Sequence, residues 1–173
     1  MKIEASAYEK VVAERPIKKG EVIFLLEGDP VSKPSKYSIQ IDIGLHLQPF
    51  DGNNNEWKFV NHSCDPNAYI DTTDHKIKAL KDIHEGKEIC FNYNTTEYKM
   101  DSPFNCNCGS ANCYGEIKGF QYLSDEDQRS LLPFAAMHIK ALSTNRDKKE
   151  ASRSIILLLL CYEVNALVLK RFT

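Results

Sequence analysis

Three cysteines in the middle of the chain have a spacing that suits a metal site. Cys106, Cys108 and Cys113 form a C-x-C-x₄-C array in a loop that contains glycine. Three thiolates can converge there, and a tetrahedral zinc site of the structural kind has four ligands. Four thiolates would leave no open position on the metal, so we expect it to be structural. Free or disulfide-bonded cysteines are the alternative interpretation.

Two further cysteines are candidates for the fourth ligand. Cys64 lies in the polar turn 61–67, Asn-His-Ser-Cys-Asp-Pro-Asn, where the proline prevents a helix and no strand alternation is present. Cys90 lies between apolar neighbours in a β-prone segment, where a cysteine usually packs as a small hydrophobe. We therefore expect Cys64 to complete the site, so that the metal ties residues 106–113 to the turn.

The overall composition excludes several classes of protein. A chain of 173 residues with a formal net charge of −2 lacks the basic surplus typical of nucleic-acid binding. Its first residues carry charges and lack an apolar signal region, and its longest apolar run is too short to cross a bilayer. We expect an intracellular protein of the nucleus or cytoplasm, with reduced cysteines, no membrane segment and no direct nucleic-acid binding.

The elements that must position these residues are predicted to be short β-strands. Apolar runs alternate with proline and glycine turn signals, and some runs alternate with a period of two. The strand candidates are residues 11–13, 22–26, 37–43, 68–70, 77–80 and 89–93. Few helical patterns precede residue 120, so we predict a compact, mainly β core.

The pattern changes to helical near the C-terminus. Ser124 is followed three positions later by an acid, which is the spacing of a capping box. Two helical patterns follow, kinked or split at Pro133. The second, about residues 148–170, is apolar on nearly every side. Such a helix is buried, either inside the core or at a homodimer interface, and the residues leave both alternatives open.

Three motifs in this order resemble the SET-domain family of protein lysine methyltransferases. They are residues 59–67, Phe-Val-Asn-His-Ser-Cys-Asp-Pro-Asn, residues 86–93, Gly-Lys-Glu-Ile-Cys-Phe-Asn-Tyr, and the cysteine array, which is similar to the family's post-SET segment. The resemblance implies small β-sheets around a pseudoknot, in which the chain after Tyr93 passes through the loop holding the first motif. It also implies a SET domain at 1–104, a zinc-stapled post-SET segment at 105–122 and a C-terminal helical extension at 123–173.

The resemblance further implies an activity, which is the transfer of methyl groups from S-adenosylmethionine to a protein lysine. S-adenosylhomocysteine is the product, and a histone tail is the expected substrate. Asn61 and His62 would contact the adenine end of the cofactor, partly through backbone atoms. Cys108 and Gly109 would pack over the cofactor once one zinc is held by the family's ligand set, which corresponds here to Cys64 and the three cysteines of the array.

Three aromatic residues match positions in the family's transfer site. Tyr93 corresponds to the tyrosine that lines the site of transfer and borders the cofactor. Tyr37 resembles the tyrosine that begins the strand walling the lysine channel. Phe91 stands where the family carries phenylalanine or tyrosine, and phenylalanine leaves more room. The resemblance therefore implies di- or trimethylation.

The sequence departs from the family where a Gly-x-Gly usually precedes the first strand. Tyr8 and Lys10 occupy the corresponding positions, where glycine would let backbone approach the cofactor. A smaller departure is Asn92, where an aspartate is common. The missing Gly-x-Gly supports an alternative, a catalytically silent SET-like module that keeps the fold and zinc and binds proteins, whereas the retained Tyr93, Asn61 and His62 oppose it. A zinc-stapled interaction protein that uses its apolar C-terminal helix is a further alternative.

Overall fold

The computed structural model describes residues 1–5, 9–51 and 55–146, with backbone only for 2–5. The chain divides into two compact units, residues 1–139 and 140–173, and residues 140–146 of the second are helical. Tyr8, Cys161 and the helix expected at 148–170 lie outside the described residues. No helix within the described residues has the length and apolar character needed to span a bilayer.

Short strands dominate the first unit, as predicted. They form small sheets of two or three strands each. The strands are β1 (Lys2–Ala5), β2 (Glu9–Val12), β3 (Val22–Leu25), β4 (Gly28–Val31), β5 (Ile39–Asp42), β6 (Leu45–Pro49), β7 (Asn61–His62), β8 (Ala68–Asp71), β9 (Lys76–Ala79), β10 (Cys90–Phe91), β11 (Phe104–Asn105) and β12 (Glu116–Ile117). The prediction of a mainly β fold is confirmed.

Two three-stranded antiparallel sheets enclose the main core. Their strand orders are β3-β9-β8 and β4-β6-β5. The predicted strand pair is the hairpin β8–β9, in which Ile70 lies opposite Ile77 and both side chains are fully buried. Trp57, in a 3₁₀ helix at Glu56–Phe59, is buried in the same core. Apolar burial of this kind is the main stabilising term for a chain of this size.

A parallel strand pair joins two of the sequence motifs. In β7 and β10, Asn61 lies opposite Cys90 and His62 lies opposite Phe91. The Asn67 side chain reinforces the pair, because its Nδ2 donates to the Glu88 carbonyl at 2.8 Å and its Oδ1 accepts from the Cys90 N–H at 2.9 Å. The second motif therefore runs beside the first.

The strand predicted for residues 89–93 is shorter than expected. It ends at Phe91 because the Asn92 side chain accepts a hydrogen bond from the Asn94 N–H at 3.1 Å, which turns the backbone away from the ladder. Side chains of this type compete with regular structure in the same way at many turns. A 3₁₀ helix follows at Tyr93–Thr95, and Tyr93 begins it.

The end of the first unit combines a hairpin with short helices. Strands β11 and β12 pair antiparallel and enclose the cysteine loop. Helix α1 (Asp125–Leu131) begins at the predicted cap, where the Ser124 hydroxyl accepts from the Asp127 N–H at 3.1 Å. Further 3₁₀ helices span Phe120–Tyr122 and Leu132–Phe134, and a helix starts at residue 137. The predicted break at Pro133 falls in the second of these short helices.

Candidate active site

A cavity of about 640 Å³ opens beside the paired motifs. This volume lies in the range of small-molecule and cofactor sites. Its aromatic and apolar lining includes Tyr37, Trp57, Val60, Phe91, Tyr93 and Phe104. The fold therefore brings the three predicted catalytic residues into one cavity, although Tyr37 lies far from Phe91 and Tyr93 in the chain.

Tyr93 is held in this cavity from several directions. Its hydroxyl donates to the Val60 carbonyl at 3.1 Å, and its ring centroid lies 4.8 Å from that of Phe91 and 5.3 Å from that of His62. Burial raises the pKa of the Tyr93 phenol, so the hydroxyl keeps its proton at neutral pH. A protonated phenol in a fixed position can donate one hydrogen bond and accept others.

His62 connects Tyr93 to the cysteines. Its Nδ1 accepts a hydrogen bond from the Tyr93 backbone N–H at 3.1 Å, and its Nε2 lies 3.3 Å from the Cys64 sulfur. Burial lowers the pKa of His62 to about 4, which keeps the ring neutral. A neutral ring that accepts at Nδ1 carries its proton on Nε2, so that proton points at the sulfur.

The Asn61 side chain also has partners within the protein. Its Nδ2 donates to the Glu9 carbonyl and to Glu88 Oε1, both at 2.9 Å. Asn61 lines the cavity, and strand β2 lies next to it. Lys10 belongs to this strand. The other three residues predicted to bind the cofactor, His62, Cys108 and Gly109, are not among the described residues that line the cavity. Their assignment to cofactor binding stays a prediction.

Four cysteines lie close together, and one of them belongs to the motif at 59–67. The sulfurs of Cys64, Cys106, Cys108 and Cys113 all lie within 4.8 Å of one another. Cys90 is not a member of this group. Burial raises the pKa of the Cys64 thiol, so a thiolate at that position calls for a nearby cation. Four sulfur donors in a compact group form the ligand set of structural zinc sites.

Two groups of this site were not indicated by the sequence. One is the Val60 carbonyl, which has no side-chain signal. The other is Glu97, which also lines the cavity, and its N–H donates to the Tyr93 carbonyl at 2.9 Å. Burial raises the pKa of the Glu97 carboxyl to about 7. Its position four residues after Tyr93 becomes informative only once the helical turn between them is known.

Comparison with known proteins identifies the family. The model of the SET domain matches residues 9–94. Methyltransferase flvH of Aspergillus flavus is 35% identical over 94 residues, which cover 53% of this chain and 51% of that protein. A histone-lysine N-methyltransferase, H3 lysine-36 specific, of Aspergillus oryzae is 44% identical over 68 residues, which cover 36% of this chain and 7% of that enzyme.

Solved structures support the same fold. KRYPTONITE in complex with mCHH DNA, an H3(1-15) peptide and SAH has a TM-score of 0.52 and 20% sequence identity, over 65% of this chain and 28% of that one. The complex of KRYPTONITE with mCHG DNA and SAH also has a TM-score of 0.52. The family model, the relatives and the fold agree, and the family model covers the cavity residues from Pro34 to Tyr93. This chain therefore belongs to the SET-domain family, and residues 9–94 carry its SET domain.

Proposed function

We propose that this protein is an S-adenosylmethionine-dependent protein lysine N-methyltransferase. One observation carries the proposal, which is the Tyr93 hydroxyl bonded to the Val60 carbonyl inside an aromatic cavity beside the paired motifs. Both relatives described above carry the word methyltransferase in their names. The chain spans about half the length of one and less than a tenth of the other, so the activity is inferred from the site.

The cavity fits a methyl donor of this size. Its volume of about 640 Å³ accommodates a nucleoside-sized ligand together with the end of a side chain. S-adenosylmethionine, when bound, supplies a methyl group that its positively charged sulfur already activates. We assign its binding to Asn61, which lines the cavity, and to His62, with Cys108 and Gly109 packing over it from outside the cavity lining. Because the side-chain nitrogens of Asn61 and His62 have protein partners, their backbone atoms are the groups proposed to bind.

The residues of the cavity have the remaining tasks of holding the amine and keeping it neutral. Free lysine has a pKa of about 10.4, and an apolar aromatic channel disfavours the ammonium form. The Tyr93 hydroxyl and the Val60 carbonyl can orient the amine nitrogen, while Tyr37 walls the channel. Fixing the reacting groups in line removes much of the entropic barrier to transfer. Aromatic faces also accept a methylated ammonium product.

One structural zinc is proposed for the cysteine cluster. Its ligands would be Cys64, Cys106, Cys108 and Cys113, whose sulfurs already lie within 4.8 Å of one another. A metal there would join the loop enclosed by β11 and β12 to the turn at 61–67. Because His62 contacts Cys64, the same metal would also support the position of Tyr93.

The residue at position 91 bears on the number of methyl groups transferred. Phe91 is 3% exposed, lines the cavity and has no hydroxyl to hold a water molecule. The space that a tyrosine hydroxyl and its water would fill stays available for a methylated amine. We therefore propose di- or trimethylation.

A histone tail is the substrate we propose, in the nucleus. The Aspergillus oryzae relative is named for histone H3 lysine 36, and the solved KRYPTONITE complex contains an H3(1-15) peptide. The name of the Aspergillus flavus relative specifies no substrate. Direct nucleic-acid binding is not expected from the net charge of −2, and a homodimer through residues 148–170 stays a prediction outside the described residues.

Labelled S-adenosylmethionine and an array of lysine peptides that includes the histone tails test this function. The wild-type protein should label a subset of peptides, and the Tyr93→Phe variant should label them far less. Calorimetry with unlabelled cofactor distinguishes an active enzyme from the alternative, a catalytically silent module. The side chain of Lys10 in β2 favours that alternative. Absence of both binding heat and label in zinc-replete protein would refute the enzymatic function.

A further inference from the structure

Glu97 is an acidic residue in the lining of a cavity that is otherwise mainly apolar. The residue is half-buried and lines the same cavity as Tyr93 and Tyr37. Its backbone N–H bonds to the Tyr93 carbonyl, so one helical turn joins the two residues. Nothing in the proposed transfer of a methyl group requires an acid at this position.

The Glu97 side chain is held in place by specific contacts. Its Oε1 accepts a hydrogen bond from the Gln40 backbone N–H at 2.9 Å, and Gln40 Oε1 accepts in turn from the Tyr98 N–H at 3.2 Å. The Glu97 carbonyl accepts from the Phe120 N–H at 2.8 Å. These bonds occupy one carboxylate oxygen and fix the direction of the group.

Within the described part of the chain, the cavity lining contains three other charged residues. Lys36 and Asp101 are exposed, and Lys58 is half-buried with its ammonium 5.0 Å from the centre of the Phe59 ring. Glu97 is the acid of this group whose pKa burial raises, to about 7. Its Gln40 hydrogen bond favours the charged form, but loss of solvent outweighs it. A poorly solvated carboxylate gains most from a cationic partner.

We propose that Glu97 is the specificity residue of the cavity and that its carboxylate binds the ammonium group of the incoming substrate, before the proton loss that precedes methyl transfer. This inference rests on the proposed function, because it assigns the cavity to an amine. Aromatic walls attract a cation but also accept neutral apolar groups of the same size. A carboxylate in a low-dielectric site discriminates between them, since only the ammonium forms a charge-assisted hydrogen bond.

A pair of small probes tests this role without methyl transfer. n-Butylammonium has the length of a lysine side chain, and butan-1-ol is its neutral counterpart. NMR titration of zinc-replete protein near neutral pH gives the ratio of the two dissociation constants. Wild type should prefer the ammonium by about tenfold or more, the difference that one charge-assisted hydrogen bond supports. In E97Q the ratio should fall towards one, because the amide keeps the Gln40 contact but lacks the charge.

Asp101→Asn is the matched control, since it removes the same charge from the exposed rim of the same cavity. Its ratio should match that of wild type. A wild-type ratio near one, no binding of either probe, or an unchanged ratio in folded E97Q would overturn the proposal.

A second measurement covers the case in which E97Q does not fold. The ¹³C resonance of the Glu97 carboxyl in wild-type protein should shift with n-butylammonium and stay unchanged with butan-1-ol, and equal responses would overturn the assignment. An intact preference for the ammonium without methyl transfer to any peptide would contradict the proposed enzyme and leave the role of Glu97 standing.

Discussion

At the scale of single residues, the proposed site depends on how Tyr93 is held. Its hydroxyl is bonded to Val60, its backbone N–H to His62, and its ring packs against Phe91. Two residues of the motif at 59–67 and one neighbouring ring of the motif at 86–93 thus fix Tyr93. A group fixed in this way needs no reorganisation when a substrate binds, which is the condition for efficient electrostatic and orientational catalysis.

Replacing Tyr93 with phenylalanine removes the hydroxyl and keeps the ring packing. We expect kcat to fall by about a hundredfold or more, because the amine loses an orienting group. Zinc content and the midpoint of thermal unfolding should stay close to those of wild type, since the lost hydrogen bond contributes only about 1 kcal/mol to stability. Turnover with labelled cofactor and metal analysis measure these effects, and undiminished turnover would refute the role of the hydroxyl.

Replacing Phe91 with tyrosine should change the product and leave the reaction class intact. The added hydroxyl enters the cavity and reduces the room for a methylated amine, so monomethyl lysine should accumulate. Mass spectrometry of an exhaustively treated peptide gives the distribution of products. If wild-type protein itself stops at one methyl group, the proposed role of Phe91 is wrong.

The raised pKa of Glu97 predicts a pH-dependent difference between wild type and Glu97→Gln. The pKa is about 7 in the folded state against an ordinary value of 4.5, so folding binds a proton between these values. Wild-type stability therefore decreases as pH rises from about 4.5 to 7, and the glutamine variant lacks this loss. The unfolding free energy of the variant minus that of wild type should therefore increase by about 1–3 kcal/mol as the pH rises from acidic values to about 8.

Urea unfolding of both proteins across this pH range measures that difference. Other titrating groups, the cysteines included, contribute equally to the two proteins and cancel. A difference that does not vary with pH would show that Glu97 titrates normally in the folded state.

At the scale of elements, the β-strands are the part that the sequence predicted best. Short apolar runs between turn residues indicated β2, β3, β8 and β9, and the capping box indicated the start of α1. The end of β10 was predicted too late, because the Asn92 side chain bonds to the backbone locally and overrides β propensity. The parallel pairing of β7 with β10 joins residues far apart in the chain, which local patterns do not encode.

The same distinction explains which site residues the sequence indicated. Phe91 and Tyr93 belong to the motif at 86–93, Tyr37 begins a predicted strand, and all three line one cavity in the structure. Cys64 was expected beside the cysteine array because a turn can direct its sulfur, and the four sulfurs do lie together. Glu97 was missed because its burial and its Gln40 contact arise only from tertiary packing.

The cysteine cluster gives a prediction at this scale. Cys113→Ser should reduce bound zinc from one equivalent to nearly none and loosen the β11–β12 hairpin, because a site with three thiolates binds the metal far more weakly. Cys90→Ser is the matched control, since Cys90 is half-buried outside the cluster and its loss should leave the metal in place. Metal analysis and hydrogen exchange of residues 104–117 measure both effects.

Two results would contradict the metal site. The first is that wild-type protein purified in the presence of zinc contains no bound zinc. The second is that the Cys90→Ser variant loses the metal while the Cys113→Ser variant keeps it, which would place the ligands elsewhere.

At the scale of the whole molecule, the cavity and the cysteine cluster both belong to the first compact unit. The residues that line the cavity lie between Pro34 and Phe104, and the cluster ends at Cys113. The chain forms its second unit from residues 140–173. The site is therefore built from the part of the chain that contains the SET domain.

Removing residues 147–173 should leave cofactor binding and peptide methylation in place, because no residue assigned to the site lies there. Calorimetry and the labelling assay check this expectation, and loss of cofactor binding by folded, truncated protein would contradict it. Light scattering of the same two proteins tests the predicted dimer, since truncation should then halve the molar mass.

The most direct test of the proposed methyltransferase activity is to locate the transferred methyl group. Purified, zinc-replete protein is incubated with S-adenosylmethionine and histone tail peptides, and the products are sequenced by tandem mass spectrometry. The proposed function predicts methyl groups on a lysine Nζ, dependent on added cofactor and strongly reduced in Tyr93→Phe. Methylation at another type of atom, or equal methylation by the Tyr93→Phe variant, would contradict it.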